Sequence, residues 1–309
     1  MKKYLEIKSR KAMGVRVKRP SNWWIHVIMV LAAVCCIMPF VLVVIISLTS
    51  EQSIMKYGYS FVPKEWSLSA YKYLFSKPDA IIRAYGITIF TTLVGTVVGI
   101  FLSSMLGYVI SRKDYPYKRG ITFFIFFTML FNGGLVPTYV MYTNYFHIRN
   151  TIWALLIPGM LLSGWNIFMM RTYFSSNIPD SLVESAYLDG AGDFRIYISI
   201  ILPLSKPVLS ALGFMQALGY WNSWYNSMIY INDSKRYSLS YLMTKALLDI
   251  QNLKAAVEMP AEMLAALGEM PSETVRMAMA VVGIGPMFLV FPFFQKYFVK
   301  GLTVGAVKG

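Results

Sequence analysis

Charge is scarce in this sequence. Only 14% of its 309 residues are Asp, Glu, Lys or Arg, against 56% hydrophobic residues and a mean hydropathy of +0.52. Soluble domains carry about 25% charged residues, so a large core alone does not explain the deficit, and the composition is that of a membrane protein. Histidine is nearly absent, and His26 and His147 are far apart, which argues against a histidine-based metal or proton-relay site. Cys35 and Cys36 are the only cysteines, adjacent in an apolar run, and offer neither a disulfide framework nor a metal site. There is no Gly-Lys-Ser/Thr phosphate loop, so nucleotide hydrolysis by the usual P-loop route is excluded and any driven work takes its energy from another subunit. No catalytic residue, no metal and no cofactor bound by this chain is expected.

What is present is a series of apolar runs. Met1 to Pro20 holds eight Lys or Arg against Glu6, and then Trp23 and Trp24 lead into an uncharged run over 25–48 that contains Pro39 and reads as an uncleaved, kinked first span. Runs free of Asp, Glu, Lys, Arg and His follow at about 84–110, 120–144, 150–170, 208–231 and 277–295. The expected fold is therefore all-α and integral to a membrane, with six helices, each close to the roughly 20 residues that a bilayer core requires. The domain reading is a basic tail over 1–24, a transmembrane domain over 25–297 with a polar loop at 176–206, and a tail over 298–309. The polar segments 49–83 and 232–276 should carry short amphipathic helices, the second broken at Pro260.

The net charge of +14 would suggest nucleic acid in a soluble protein, but here its distribution matters more. With the N-terminus inside, the inner segments 1–20, 111–119, 171–206 and 296–309 hold 18 Lys or Arg against six acids, and the outer segments hold 11 against nine. That asymmetry follows the positive-inside rule and places both termini in the cytoplasm. Nucleic acid is not expected as a partner, and the spaced Lys296, Lys300 and Lys308 would meet anionic lipid or a partner subunit. The spans have no acid, base or histidine in their cores, whereas proton- and ion-coupled carriers usually keep a carboxylate or histidine there.

One charged island interrupts the apolar pattern, Ile178 to Pro207. It reads as two short helices. Pro179 suits the first turn, Asp180 and Glu184 favour a helix N-terminus, and Ser181 with Glu184 would form a capping box if the helix starts later. Gly190 after Asp189 supplies a positive φ that breaks the chain. Phe194, Tyr197, Ile198 and Ile201 are expected to share one face of the second helix.

The spacing Glu184, Ser185, Ala186, three residues, Gly190, nine residues, Ile200, one residue, Leu202, Pro203 resembles the E-A-A loop of ATP-binding-cassette importer permeases. Ser185 in place of the first alanine is the one departure, and it keeps a similar volume. FNGGLVPTY from Phe131, NSW at Asn222 to Trp224, PSETVRMAMAVVGIGP and QKYFVKGLTVGAVKG from Gln295 are similar to stretches of the carbohydrate-importing branch. The resemblance covers nearly the whole chain. It implies a type I importer permease (MetI-like) fold in a bacterial cell membrane and a pairing with a second, related permease. It also implies a cytoplasmic ATPase dimer that carries ATP and magnesium, and an external sugar-binding protein. Glu184, Ser185, Ala186, Asp189, Gly190, Ile200, Leu202 and Pro203 would then contact the ATPase.

A sugar needs aromatic faces with amides or hydroxyls, and the fifth run supplies Gln216, Tyr220, Trp221, Asn222, Trp224 and Asn226 as candidate pathway residues. Gln216, Tyr220, Ser223 and Ser227 would share a helical face. Belt-forming aromatics and helix-bridging amides are the competing reading. Asn166 reads as an interhelical bond. Asn132, Gly133 and Gly134 interrupt the third run, where close helix packing is expected in preference to a break exposing carbonyls. Two other classes remain open. A secondary carrier would show counterflow as a lone chain, and a scaffold or sensor would move nothing.

Overall fold

The computed structural model describes residues 23–76, 78–159, 161–255 and 272–305, and the basic tail expected over 1–20 and the break at Pro260 lie outside them. No strand occurs among the described residues; extended backbone pairs only at an isolated bridge between Thr49 and Trp66.

Helix α1 is Trp23–Ser47, with Pro39 inside it, and its most apolar window is entirely exposed in the isolated chain, as a lipid-facing helix would be. Two short helices, α2 (Glu51–Tyr57) and α3 (Ser69–Leu74), occupy the polar segment that follows. Helix α4 (Pro78–Ser111) is the axis of the molecule. Its 34 uninterrupted residues give a length of about 51 Å at 1.5 Å per residue.

Small residues explain how the other helices reach α4. Gly95, Gly99, Ser103 and Gly107 recur every four residues on one buried face. A Cβ on Gly95 would lie 2.2 Å from the Tyr220 ring, one on Gly99 2.0 Å from Gln216 Nε2, and one on Gly107 2.9 Å from Met170 Cβ. Only glycine permits that approach, and small-residue stripes are how helices associate in lipid.

The third predicted run is not one helix. It is α5 (Lys118–Leu130) followed by α6 (Leu135–Val140), which continues as a wider π turn over Met141–Tyr145. The two halves meet at 116°. Gly134 sits at φ +84 with its N–H bonded to Asn132 Oδ1 at 2.9 Å, and a Cβ on Gly133 would meet only Pro137, at 3.8 Å. The expected close packing is therefore corrected to a chain break, because the left-handed backbone at Gly134 ends the helical ladder.

The fourth run is also divided, into α7 (Trp153–Leu156) and α8 (Gly164–Asn177), with Gly159 at φ +72 between them. Helices α9 (Asp180–Leu188) and α10 (Asp193–Ile196), a π turn over Tyr197–Ile201 and α11 (Leu202–Leu204) make the charged island. Helix α12 (Lys206–Trp221) returns along α4, α13 (Tyr225–Tyr230) follows, and α14 (Leu239–Ala255) and α15 (Glu273–Gly305) complete the bundle. Helical backbone thus runs to Gly305, through most of the segment expected as a tail. Three described helices are long and apolar enough to cross a membrane, or up to five if each bent pair counts as one span.

The two ends of α4 separate two sets of loops. Thr88 Oγ1 accepts from the Leu239 N–H at 2.9 Å, which ties the start of α14 to one end. Lys113 Nζ reaches Asp180 Oδ2 at 2.8 Å just past the other end. Thr88 and Ser111 are separated by roughly 35 Å of helix, about the depth of a bilayer core. The 111–119 loop and the island therefore share one end.

Candidate functional site

The island is fastened by one face and free on the other. Val183 and Ala186 of α9 are buried with Ile196, Tyr197 and Ile201 against Tyr108 of α4, Met170 and Phe174 of α8 and Leu212 of α12. Tyr197 stacks on Tyr108 with ring centroids 5.7 Å apart, and its hydroxyl shares a hydrogen bond with Ser104 Oγ. Each large apolar side chain packed this way contributes about 1.5–3 kcal/mol, so the anchor fastens the island to three helices.

The expected amphipathic face is altered by the π turn. Tyr197 and Ile201 are buried, but Phe194 is 63% and Ile198 39% exposed, and Ile196 is buried in their place. The wider turn over Tyr197–Ile201 shifts the phase of the face that α10 begins, because it inserts a residue into the helical repeat.

The start of α9 also differs in detail. Pro179 stands at the cap position with extended backbone, Asp180 opens the helix, and no side chain caps it. Ser181 is already inside, so no capping box forms, and its carbonyl accepts from Ser185 Oγ at 2.8 Å. That bond satisfies the hydroxyl within the helix and explains how serine stands where alanine is usual. Gly190 lies at φ +78 with open space around it, as the chain break required.

The free face of α9 presents Glu184, Ser185, Leu188 and Asp189, with Gly190 beyond them. Leu188 is 90% exposed, a large apolar side chain projecting from the end of a helix. In the second half Ile200 and Leu202 are half-buried and Pro203 is exposed.

Lys113 and Asp180 are both well exposed. Each stabilises the other's charged form, so the lysine is held above and the aspartate below its ordinary range by the hydrogen bond and by attraction. Tyr187 donates to Asp193, and that bond to a carboxylate pushes the phenol up to about 12. It remains a donor throughout the physiological range and ties α9 to α10. Burial disfavours the Arg112 guanidinium, but its bond to Asp114 outweighs burial and raises it. A cavity of about 430 Å³ separates the 111–119 loop from the island, between Tyr108, Tyr115, Tyr187 and Phe194.

The candidate pathway residues divide into two groups. Gln216 Nε2 donates to the Gly95 carbonyl at 3.2 Å while its Oε1 accepts from Asn166 Nδ2 at 3.0 Å, so Asn166 makes the expected interhelical bond. Tyr220 donates to the Leu156 carbonyl at 2.8 Å, Trp221 Nε1 to Gly283 at 2.7 Å and Asn226 Nδ2 to Pro158 at 3.1 Å. These four are buried and brace α12 and α13 against neighbours. Asn222 and Trp224 are exposed. The helix ends at Trp221 and restarts at Tyr225, so the continuous face expected from Gln216 to Ser227 is interrupted at 222–224.

Sequence reasoning did not find Glu51. Its carboxylate is buried and accepts from Ser272 Oγ, the Glu273 N–H, the Thr274 N–H and Thr274 Oγ1, at 2.8–3.0 Å. It thereby caps α15 from more than 200 residues away. Burial opposes its ionisation, but the hydrogen bonds outweigh burial and hold the carboxyl below its ordinary range.

A family described as binding-protein-dependent transport system inner membrane component matches residues 95–304. The chain is 33% identical to the polygalacturonan/rhamnogalacturonan transport system permease protein YtcP of Bacillus subtilis (strain 168), over 92% of this chain and 97% of that protein. It is 31% identical to Protein LplC of the same organism, over 88% and 90%. Among solved structures it is similar to a bacterial ABC transporter involved in the import of the acidic polysaccharide alginate, with a TM-score of 0.71, 27% identity and coverage of 94% and 98%.

Proposed function

The chain belongs to the family of binding-protein-dependent transport system inner membrane components, and from that membership we propose that it forms half of the translocation pathway of an ATP-driven oligosaccharide importer. In this reading a second, related permease supplies the other half, six spans cross the membrane with both termini cytoplasmic, and an external binding protein delivers the sugar. A cytoplasmic ATPase dimer, carrying ATP and magnesium, supplies the energy. The membrane is the bacterial cell membrane.

The observation that carries the reading is the island's construction. Its motif half, Glu184 to Gly190, stands on an anchor of Val183, Ala186, Ile196, Tyr197 and Ile201, and that anchor joins α4, α8 and α12. A force on the exposed Glu184, Ser185, Leu188 and Asp189 is transmitted to three helices at once. A lever of this form suits rocking of the spans by ATP-driven closure of a partner. Sugar selectivity belongs elsewhere, with the binding protein and with groups such as Asn222 and Trp224 that remain exposed.

The test is reconstitution of the four-component complex with the binding protein in proteoliposomes. Oligosaccharide uptake should require ATP on the side of the island and should vanish without the ATPase. Equal counterflow by the lone purified chain would favour a secondary carrier instead.

A further inference from the structure

A second cavity, of about 660 Å³, opens at the end of the bundle opposite the island, between α3, the start of α4 and α14. Its rim carries Arg83 and Lys245, and neither lies within ion-pair distance of a carboxylate among the described residues. Lys245 is half-buried and its ammonium sits 5.2 Å from the centre of the Tyr237 ring, which fixes it over an aromatic face. Tyr73 supplies a second ring, and Ser76 and Ser234 add hydroxyls. Asp249 also lines the cavity, so the described lining carries two cations and one acid.

Resting on the importer reading above, we propose that this cavity is an entry subsite for an anionic oligosaccharide, one whose rings carry carboxylates. The chemistry matches in three respects. A pyranose presents an apolar C–H face for Tyr73, its hydroxyls suit Ser76 and Ser234, and a uronate carboxylate suits Arg83 and Lys245. The volume falls within the roughly 300–1,000 Å³ of small-molecule sites. The proposed orientation puts this end outside, where a sugar arrives. Two proteins similar to this chain are named for polygalacturonan and for an acidic polysaccharide, and the cations locate where such a charge would be met.

The experiment compares uptake of trigalacturonate with uptake of its fully methyl-esterified form, in proteoliposomes holding the complete complex and binding protein. The subsite predicts that the Arg83→Gln, Lys245→Gln double variant loses about tenfold or more of trigalacturonate uptake, the size of a lost charged hydrogen bond, and keeps uptake of the ester. Arg83→Lys should restore most of the loss. Equal loss for both sugars, or no loss, overturns the proposal. If the double variant instead binds the sugar-free binding protein more weakly, the cavity docks an acidic patch of that protein and the subsite is refuted. Wild-type uptake of the ester alone refutes the anionic subsite and leaves the importer standing; ATP-independent behaviour of the wild type refutes both.

Discussion

Glu51 shows how much one residue can hold together across the chain. A buried carboxylate satisfied by four donors is stable only while ionised, and here it joins the exit of the first helix to the entry of the last. Because its folded pKa is depressed, its contribution is present above the ordinary carboxylate pKa and is lost as pH falls through the folded value. The detergent-solubilised complex should therefore lose thermal stability below about pH 4. Glu51→Gln should cost about 1–3 kcal/mol and flatten that acid limb in a thermal-shift series. An unchanged limb would show that other carboxylates dominate.

The same scale marks the limit of reading a sequence. Asn166 was legible as a bridging amide because a lone amide in an apolar run has few other uses. Its partner, Gln216, read equally well as a pathway group, because nothing local reveals a carbonyl on a helix 121 residues away. The glycine stripe on α4 was missed, although four small residues at intervals of four are its signal. Gly99→Leu should block assembly, since the new side chain would overlap Gln216 and the Leu161 carbonyl. Loss of the folded peak in size-exclusion chromatography checks this.

The charged island and its turn were legible as an element, because charge, spacing and Gly190 all point to two short helices. Its buried face was only partly so. Periodicity assumes 3.6 residues per turn, and the π turn at Tyr197–Ile201 breaks that assumption. The break at Gly134 escaped for a related reason, since glycine in an apolar run is compatible with either a close contact or a turn. Leu188 belongs to this scale as well, as an apolar group on the face away from the anchor. Leu188→Asp should leave insertion unchanged and reduce retention of the ATPase during affinity purification of the complex. Full retention would remove Leu188 from the docking surface.

Across the whole molecule, α4 sets apart two ends that the charge count had already distinguished. The long-range bond Lys113 to Asp180 groups the 111–119 loop with the island at one end, and Thr88 to Leu239 holds the start of α14 toward the other. In a Cys35→Ala, Cys36→Ala background, Ser185→Cys should react with a membrane-impermeant maleimide only in inside-out vesicles. Ser60→Cys should react only in right-side-out ones, and labelling of both from one side would break the topology.

The central claim is that the island transmits ATP-driven motion to the spans. Its most direct test is sugar-stimulated ATP hydrolysis by the reconstituted complex carrying Gly190→Val. No atom lies within 4 Å of a Cβ at this position, so the substitution is chosen for the backbone strain it introduces at φ +78, worth about 1–2 kcal/mol for a residue with a Cβ. The account predicts a correctly inserted, assembled complex whose hydrolysis no longer responds to liganded binding protein and whose uptake is lost. Stimulation and uptake at the wild-type level would contradict it.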